Sequence, residues 1–289
     1  MKSEVLKTQS ITTQGTRVGI GRVISHILLI IASFIVLFPF LWMIDTALKP
    51  NGQALQSPPT IIPDPIQWGN FVAAWTYLPF GHFIFNSLLV ACSGTILVLI
   101  TSSLAAYAFA RLRFAGRESI FVGYLGTLII PQAVLVIPQF MLIRSLGWVN
   151  SYQALIIPGA FTAFGTFLLR QFFKGIPIEL EESALIDGAS RLRILWNIIL
   201  PLSKPALGVL GLFTFIGFWN NFLWPLIVVN TADMATIPLG LQMFQGQHGT
   251  EWSYMMAGAT ISVIPGAILV ILLQRYLVEG ITLTGIGGR

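Results

Sequence analysis

Six long stretches of this chain contain no Asp, Glu, Lys or Arg and consist mainly of apolar residues. A helix that crosses a bilayer needs about 20 such residues, because the hydrocarbon core is about 30 Å thick and each residue rises about 1.5 Å. The sequence therefore predicts an all-α polytopic membrane protein with six transmembrane helices. The predicted spans are Val23–Ile44, Phe83–Ala110, Ser119–Ile143, Ser151–Leu169, Pro205–Val229 and Trp252–Gln274.

The low content of charged residues excludes the other common classes. Asp, Glu, Lys and Arg make up 9% of the residues, whereas a soluble domain contains about 25%. Hydrophobic residues make up 55%, which is too many for a disordered chain. Cys92 is the only cysteine, so a disulfide framework is excluded. The net charge of +5 rests on too few residues to indicate a nucleic-acid partner, and we expect none.

The distribution of basic residues predicts the orientation. Fourteen of the sixteen Lys and Arg residues lie in the N-terminal arm, in the second-to-third and fourth-to-fifth connections, or after the last span. Only Lys49 and Arg144 lie in the other connections. Because basic loops remain in the cytoplasm, both termini are predicted to be cytoplasmic. The predicted organisation is an arm, residues 1–22, followed by a single six-helix domain, residues 23–289.

The first apolar stretch is expected to remain in the protein. It is longer than the apolar region of a cleaved signal peptide, and no A-x-A site follows it. A short helix is predicted near Trp68–Trp75, within a proline-rich external connection that covers residues 45–82.

The spans lack the residues that coupled carriers and enzymes need. Carriers driven by protons or sodium hold ionisable groups at membrane depth, and none of the six stretches contains an acidic or basic residue. The chain also lacks the phosphate-binding G-x-x-x-x-G-K-[ST] loop and the H-E-x-x-H and G-x-S-x-G motifs. We therefore predict that the chain is not an enzyme, has no catalytic residues and no metal site, and depends on an external energy source.

The connection at residues 174–204 is predicted to form two helices separated by a glycine turn. Pro177 suits the first turn of a helix, and the acidic residues after it favour the positive end of the helix. Gly188 can end that helix with a positive φ, and Ser190 is a suitable N-cap for the next helix. Pro201 is predicted to end the second helix.

The second of these helices is predicted to be amphipathic. Leu192, Leu195 and Ile199 are expected on one face. The element is too polar to span a membrane and too apolar to remain free, so it needs a partner protein or the lipid surface.

The same segment resembles the EAA loop of permease subunits of bacterial ABC importers. That pattern is E-A-A, three residues, G, nine residues, then I-x-L-P. This chain has a serine at the first alanine position, which replaces one small residue by another. The resemblance assigns ATPase coupling to Glu182, Ser183, Ala184, Asp187, Gly188, Ile198, Leu200 and Pro201.

Other stretches resemble the maltose-type, carbohydrate-importing branch of this family, in particular its second, G-type permease. These stretches are Tyr107–Arg117, Asp187–Ser190, Phe218–Leu226 and Glu279–Gly285. The resemblance extends from about Ile24 to Arg289 and implies a type I ABC importer permease fold in the inner or plasma membrane of a prokaryote.

The resemblance also implies the partners. They are a second permease subunit, two ABC ATPase subunits, an extracytoplasmic solute-binding protein and membrane lipid. The partner ATPases would use ATP and Mg, and this chain would bind no cofactor itself. The first short helix of the loop would dock on the ATPase, where Glu182 pairs with a basic residue. Residues 45–82 and 230–251 would contact the binding protein, and the Gly280–Arg289 tail would reach the ATPase interface.

Two alternatives to a sugar importer remain open. One is an ABC permease for another solute, such as a glycerol-phosphate ester or a polyol, and the other is a self-sufficient channel or carrier. Trp219, Asn220 and Asn221 are candidates for lining the pathway, because amides pair with sugar hydroxyls and aromatic rings stack on sugars. The favoured interpretation of the amides is an interhelical hydrogen bond, which is often worth ~0.6 kcal/mol.

Several prolines within the predicted spans can act either as hinges or as static bends, among them Pro131, Pro138, Pro225 and Pro265.

The predicted orientation is testable with topology reporters. Alkaline phosphatase inserted between residues 55 and 62 should be active, since that enzyme folds only outside the cytoplasm. The same reporter inserted between residues 113 and 117 should be inactive, and green fluorescent protein there should fluoresce. The opposite pattern would show that the orientation is inverted.

Overall fold

The computed structural model describes residues 20–246 and 249–285 of the 289-residue chain. Over these residues the structure is helical apart from connections and a small antiparallel hairpin, so the predicted all-α class is confirmed there. The hairpin pairs β1 (Gln245–Gly246) with β2 (Gly249–Thr250). The helices are α1 (Ile20–Ala47), α2 (Gly69–Tyr77), α3 (Phe80–Arg111), α4 (Arg117–Gly126), α5 (Gln132–Ser145), α6 (Tyr152–Ile156), α7 (Ala163–Lys174), α8 (Glu179–Ile186), α9 (Arg191–Ile194), α10 (Leu200–Leu202), α11 (Lys204–Trp219), α12 (Leu223–Val228), α13 (Ile237–Gln242) and α14 (Trp252–Gly285).

Shorter helical turns complete these elements. There are 3-10 turns at Asn51–Gln53, Thr127–Ile129, Ile157–Gly159 and Ala232–Met234, and a π-helical turn at Leu195–Ile199. Helix α2 confirms the short helix that the sequence predicts near Trp68–Trp75.

The chain divides into two compact units, residues 1–43 and residues 44–289. The described part of the first unit is the N-terminal portion of α1. It carries an aromatic row in which the ring centroids of Phe34 and Phe38 lie 6.5 Å apart and those of Phe38 and Trp42 lie 6.1 Å apart. This row follows the four-residue spacing of neighbours on a helix surface. The predicted arm, residues 1–22, lies almost entirely outside the described residues.

Three described helical segments are individually long and apolar enough to cross a membrane, namely Gly21–Ala47, Phe80–Arg111 and Trp252–Leu272. The predicted third and fourth spans are not single helices, and each is a pair of helices that meet at a bend, of 99° and 45° respectively. The predicted fifth span, Pro205–Val229, is divided into α11 and α12. A further bend of 83° lies just before it, between the helical segments Arg191–Leu202 and Lys204–Trp219. The structure therefore has three candidate spans, or up to six if each bent pair counts as one span.

A proline explains the first of these breaks. The 3-10 turn after α4 ends at Ile129, and Pro131 then adopts an extended conformation with ψ 132°. Its missing N–H prevents the helix from continuing. In contrast, Pro138 lies inside α5, Pro225 inside α12 and Pro265 inside α14. Whether any of these prolines acts as a hinge stays a prediction.

Side chains from neighbouring helices satisfy backbone groups that the breaks release. Thr101 Oγ1 donates to the carbonyl oxygen of Ala160 at 2.6 Å. The indole Nε1 of Trp224 donates to the carbonyl oxygen of Ala154 at 2.8 Å, and the backbone N–H of Trp224 donates to Asn221 Oδ1 at 3.3 Å. These bonds matter because hydrocarbon offers no alternative partner to a free backbone group.

Helix α3 is the central element of the second unit. The buried apolar residues of this unit form two clusters, one near each end of α3, and α3 contributes to both. Its residues in the first cluster are Phe80, Phe83, Val90 and Ala91, and its residues in the second are Val98, Ala106 and Tyr107.

The ring of Phe218, in α11, is clamped between two glycines. A Cβ added to Gly94 of α3 would lie 2.5 Å from the ring, and a Cβ added to Gly159 would lie 2.8 Å from it. Real Cβ atoms essentially never approach so closely. The close contact of α3 with α11 therefore requires glycine at both positions.

We expect Gly94→Ala to destabilise the protein, because the ring of Phe218 cannot move away from the new methyl group without striking Gly159. Overpacking of this kind costs about 1–3 kcal/mol. The matched control is Gly123→Ala in α4, where no atom lies within 4 Å of the added Cβ. A thermal unfolding midpoint in detergent should fall only for the first variant, and equal midpoints would contradict the clamp.

Candidate functional site

Helix α8 begins where the sequence places acidic residues against a helix N-terminus. Glu179, Glu181 and Glu182 occupy its first turn, where they interact favourably with the positive end of the helix dipole. Pro177 was predicted inside this turn, but the structure places it before the N-cap residue, Ile178.

The predicted glycine turn is confirmed. Gly188 has φ 80°, and its N–H donates to the carbonyl oxygen of Leu185 at 3.0 Å. The N–H of Ala189 donates to Ala184 at 2.9 Å, which completes a Schellman motif. Ser190 then caps the next helix, as predicted, by accepting a bond from the N–H of Arg193 at 3.3 Å.

The second helix ends within one residue of Pro201, as predicted. It continues from α9 through the π-helical turn and α10, and it stops after Leu202. The chain then bends by 83° into α11.

The predicted apolar face of the second helix is only partly correct. Leu195 and Ile199 are buried, but Leu192 is 60% exposed. Ile194 takes its place in the apolar cluster around Leu169. The apolar packing of the helix therefore begins at Ile194.

Most of the predicted coupling residues meet at one open cleft between α8 and the second helix. The cleft has a volume of about 450 Å3. The predicted residues that line it are Ser183, Ala184, Asp187, Ile198 and Pro201. Residues on two helices of the 174–204 segment thus share one surface.

The three remaining motif residues lie outside this cleft. Glu182 is exposed on α8, and Gly188 forms the turn. Leu200 instead lines an apolar groove with Leu99 and Ile100 of α3. The motif therefore combines exposed contact residues with residues that attach the segment to the chain.

Sequence reasoning missed the residue that anchors α8. Glu181 has a fully buried side chain, and its Oε1 lies 2.8 Å from Nε of Arg111. The Nε–H is not aligned with the carboxylate, so the contact is an ion pair rather than a hydrogen bond. Tyr107 OH donates to Glu181 Oε2 at 3.2 Å. The only sequence signal was a third glutamate in the helix start, and its burial follows from tertiary packing.

A second ion pair lies nearby. The guanidinium of Arg170, at the end of α7, donates from Nη2 to both carboxylate oxygens of Glu118 at 2.6 Å and from Nε to the carbonyl oxygen of Phe109 at 3.1 Å. It also lies 3.9 Å from the ring centroid of Phe121. This arginine therefore joins α3, α4 and α7 where α3 ends.

The three candidate pathway residues occupy the break between α11 and α12. Trp219 is buried and stacks on Phe215 with ring centroids 5.6 Å apart. Asn221 accepts the local bond from Trp224 at the start of α12 rather than an interhelical one. Asn220 is exposed. A pathway role stays a prediction, for which Asn220 is the most accessible of the three.

The two predicted binding-protein segments are attached to helices by side-chain amides. In residues 45–82, Asn70 Nδ2 donates to the carbonyl oxygens of Ala47 and Lys49, both at 2.8 Å. In residues 230–251, the carbonyl oxygens of Asp233 and Ala235 accept bonds from Asn86 Nδ2 of α3 at 2.7 and 2.9 Å.

No group of three or more His, Cys, Asp and Glu residues within residues 20–246 and 249–285 has the arrangement needed to hold a metal ion. The predicted contact of the Gly280–Arg289 tail involves side chains that lie outside the described residues.

Comparison with known proteins identifies the family. Residues 12–283 match the family described as "Binding-protein-dependent transport system inner membrane component". This chain belongs to that family. The resemblance to permease subunits of ABC importers is thereby confirmed.

Curated relatives match over almost their whole length. The trehalose/maltose transport system permease protein MalG of Thermococcus litoralis is 39% identical over 273 residues, which cover 92% of this chain and 98% of that protein. The sn-glycerol-3-phosphate transport system permease protein UgpE of Yersinia enterocolitica is 37% identical over 264 residues, covering 89% and 94%. The arabinooligosaccharides transport system permease protein AraQ of Halalkalibacterium halodurans is 34% identical over 265 residues, covering 89% and 93%.

The fold is that of an ABC importer permease. The chain matches a solved bacterial ABC transporter involved in the import of the acidic polysaccharide alginate, with a TM-score of 0.78 and 24% identity over 88% of this chain and 95% of that chain. A second alginate transporter structure, in complex with an alginate-bound periplasmic protein, matches with a TM-score of 0.63 and 15% identity, covering 87% and 92%. The predicted type I importer permease fold is thus confirmed.

Gly188→Val should uncouple transport from ATP hydrolysis without preventing membrane insertion. A side chain in the left-handed region costs roughly 1–2 kcal/mol, and the turn would relax and reorient α8. Because no atom lies within 4 Å of an added Cβ, the effect would come from backbone conformation alone. Gly188→Asn is the matched control, since asparagine tolerates this region. In Gly188→Val, solute uptake should fall while ATP hydrolysis continues, and in Gly188→Asn the two should stay coupled. Normal uptake by Gly188→Val would refute a role for the turn.

Proposed function

We propose that this chain is a permease subunit of an ATP-driven, binding-protein-dependent sugar importer. It would form half of the translocation pathway beside a second permease and would couple to two ABC ATPase subunits through residues 174–204. The observation that supports this most directly is the cleft lined by five coupling-motif residues beside α8.

The surface of α8 supports docking on a partner protein. Leu180 and Leu185 are partly exposed, and Ile186 is 87% exposed. Apolar side chains in this arrangement gain free energy when a partner removes them from water, at about 25 cal/mol per Å2 of buried surface. Ser183 and Ala184 are small enough to allow a close approach. Glu182 is exposed and available for a basic residue on the ATPase, although a solvated ion pair contributes only ~0–1 kcal/mol.

The proposed topology is a multi-pass protein of the prokaryotic inner or plasma membrane with both termini in the cytoplasm. Counting each bent helix pair as one span yields six spans, which agrees with the distribution of Lys and Arg. Residues 23–289 would then form one permease domain, with residues 1–22 as a cytoplasmic arm.

The proposed partner on the opposite side is a solute-binding protein that contacts residues 45–82 and 230–251. Both segments are attached to helices through Asn70 and Asn86, so a docked protein would meet ordered surfaces. The proposed energy source is ATP with Mg, bound by the ATPase subunits. This chain itself would act as a transport subunit without enzymatic activity or a cofactor of its own.

The proposed solute is an uncharged di- or oligosaccharide. The relatives named above include permeases for trehalose/maltose, arabinooligosaccharides and sn-glycerol 3-phosphate. A phosphate ester would require positive charge along the pathway, and the six apolar stretches of this chain contain no Lys or Arg. This favours a sugar over a glycerol-phosphate ester.

The test is the ATPase rate of the complete complex in lipid nanodiscs with its own binding protein. Maltose, trehalose, arabino-oligosaccharides, glycerol and sn-glycerol 3-phosphate would be added in turn. We expect one sugar to stimulate hydrolysis, and only when the binding protein is present. Stimulation by sn-glycerol 3-phosphate alone would support the proposed importer but contradict the proposal that its solute is a sugar. Failure of the purified chain to retain any ATPase subunit would favour a self-sufficient channel or carrier.

A further inference from the structure

Helix α8 is attached to the rest of the chain in an unusual way. Among its eight residues, all of which the structure describes, Glu181 is the only buried one. The apolar residues of α8 are exposed or partly exposed. Most helices bury an apolar stripe, whereas α8 is anchored by a carboxylate.

Three side chains face the carboxylate of Glu181. Arg111 Nε lies 2.8 Å from Oε1, Tyr107 OH donates to Oε2 at 3.2 Å, and Arg191 Nη1 lies 3.8 Å from Oε2. Arg111 and Tyr107 lie in the last turns of α3, while Arg191 begins α9. The side chain of Arg111 is 8% exposed and that of Glu181 is fully buried, so removal of either partner would leave an uncompensated buried charge.

The guanidinium of Arg111 also binds the backbone that leads into α8. Its Nη2 donates to the carbonyl oxygen of Phe173 at 2.6 Å and to that of Ile176. One side chain therefore links the end of α3, the end of α7 and the start of α8. A displacement of α8 cannot occur without moving Arg111 or breaking these contacts.

Helix α3 extends this connection to the opposite end of the unit. It is an unbroken helix of 32 residues without proline. Near its other end, Asn86 holds the carbonyl oxygens of Asp233 and Ala235, and Ser87 Oγ accepts a bond from the N–H of Ile237 at 2.8 Å. Residues 86 and 111 are separated by about 37 Å along the helix axis.

We propose that Glu181 and Arg111 form the positioning pair that transmits movement of α8 to α3, and that α3 transmits it to residues 233–237. This inference rests on the proposed function and specifies how the same site is regulated. When the ATPase moves α8, the ion pair moves α3 as a rigid rod, and Asn86 moves the segment that would contact the binding protein. The reverse path allows a docked binding protein to influence the ATPase.

The first test compares Glu181→Gln and Glu181→Ala with Glu179→Gln in the complete complex. Glu179 is the matched control, because it belongs to the same helical turn but is exposed. The readouts are the amount of ATPase subunit that the complex retains, the basal ATPase rate, and the amount of solute transported per ATP hydrolysed. The solute is the one that stimulates hydrolysis in the nanodisc test of the proposed function. We expect both Glu181 variants to retain the ATPase and to lose about tenfold in solute per ATP. Glu181→Asp should recover part of the loss, because it restores the charge.

Two results would overturn the inference. One is an unchanged ratio of solute to ATP in both Glu181 variants. The other is loss of the ATPase subunit in both variants but not in the control, which would assign the residue to docking. Either result is distinguishable from failure of the proposed function, in which the wild-type complex itself would retain no ATPase or show no stimulation.

The second test addresses the far end of α3. Asn86→Ala should lower the stimulation of ATPase by the solute-loaded binding protein. In the double variant with Glu181→Gln, the stimulation should fall no further than in the stronger single variant, because both substitutions interrupt one connection. Independent, multiplicative losses would show that the two ends act separately and would reject transmission through α3.

Discussion

The constraint on which the structure depends is that backbone groups in an apolar environment must be hydrogen-bonded within the protein. It makes every long apolar stretch helical and requires a partner at each break. Thr101 supplies one at the break before α7, and Trp224 and Asn221 supply others around α12. The breaks are thus defined structural features rather than places where the helices fail. The breaks also place polar atoms at irregular backbone within the apolar stretches.

Helix α3 has no such break, whereas α7 and α11, which pack against it, belong to bent pairs. It contributes to both apolar clusters, accepts Phe218 against Gly94, and ends in charged residues at the 174–204 segment. A continuous rod between two functional ends is suited to transmit force, whereas a broken helix would absorb it in its bends.

Sequence reasoning succeeded where a local pattern determines a local conformation. The positive φ of Gly188, the cap at Ser190 and the small helix α2 each follow from a few adjacent residues. It failed at Leu192, where the position of the neighbouring helices decides the outcome. It also missed Glu181, because a glutamate in a helix start is usually solvated, and only the approach of Arg111 from a residue seventy positions earlier explains its burial.

The sequence by itself determined the helical class and the apolar segments, because these depend on composition and periodicity. The resemblance to the family and the EAA pattern were also visible in it, because both are carried by residues at particular positions along the chain. Tertiary structure alone decided which stretches break into bent pairs and which motif residues share the cleft. It also decided that α8 is held by a buried ion pair. These features depend on contacts between side chains that are far apart in the sequence, so no single segment determines them.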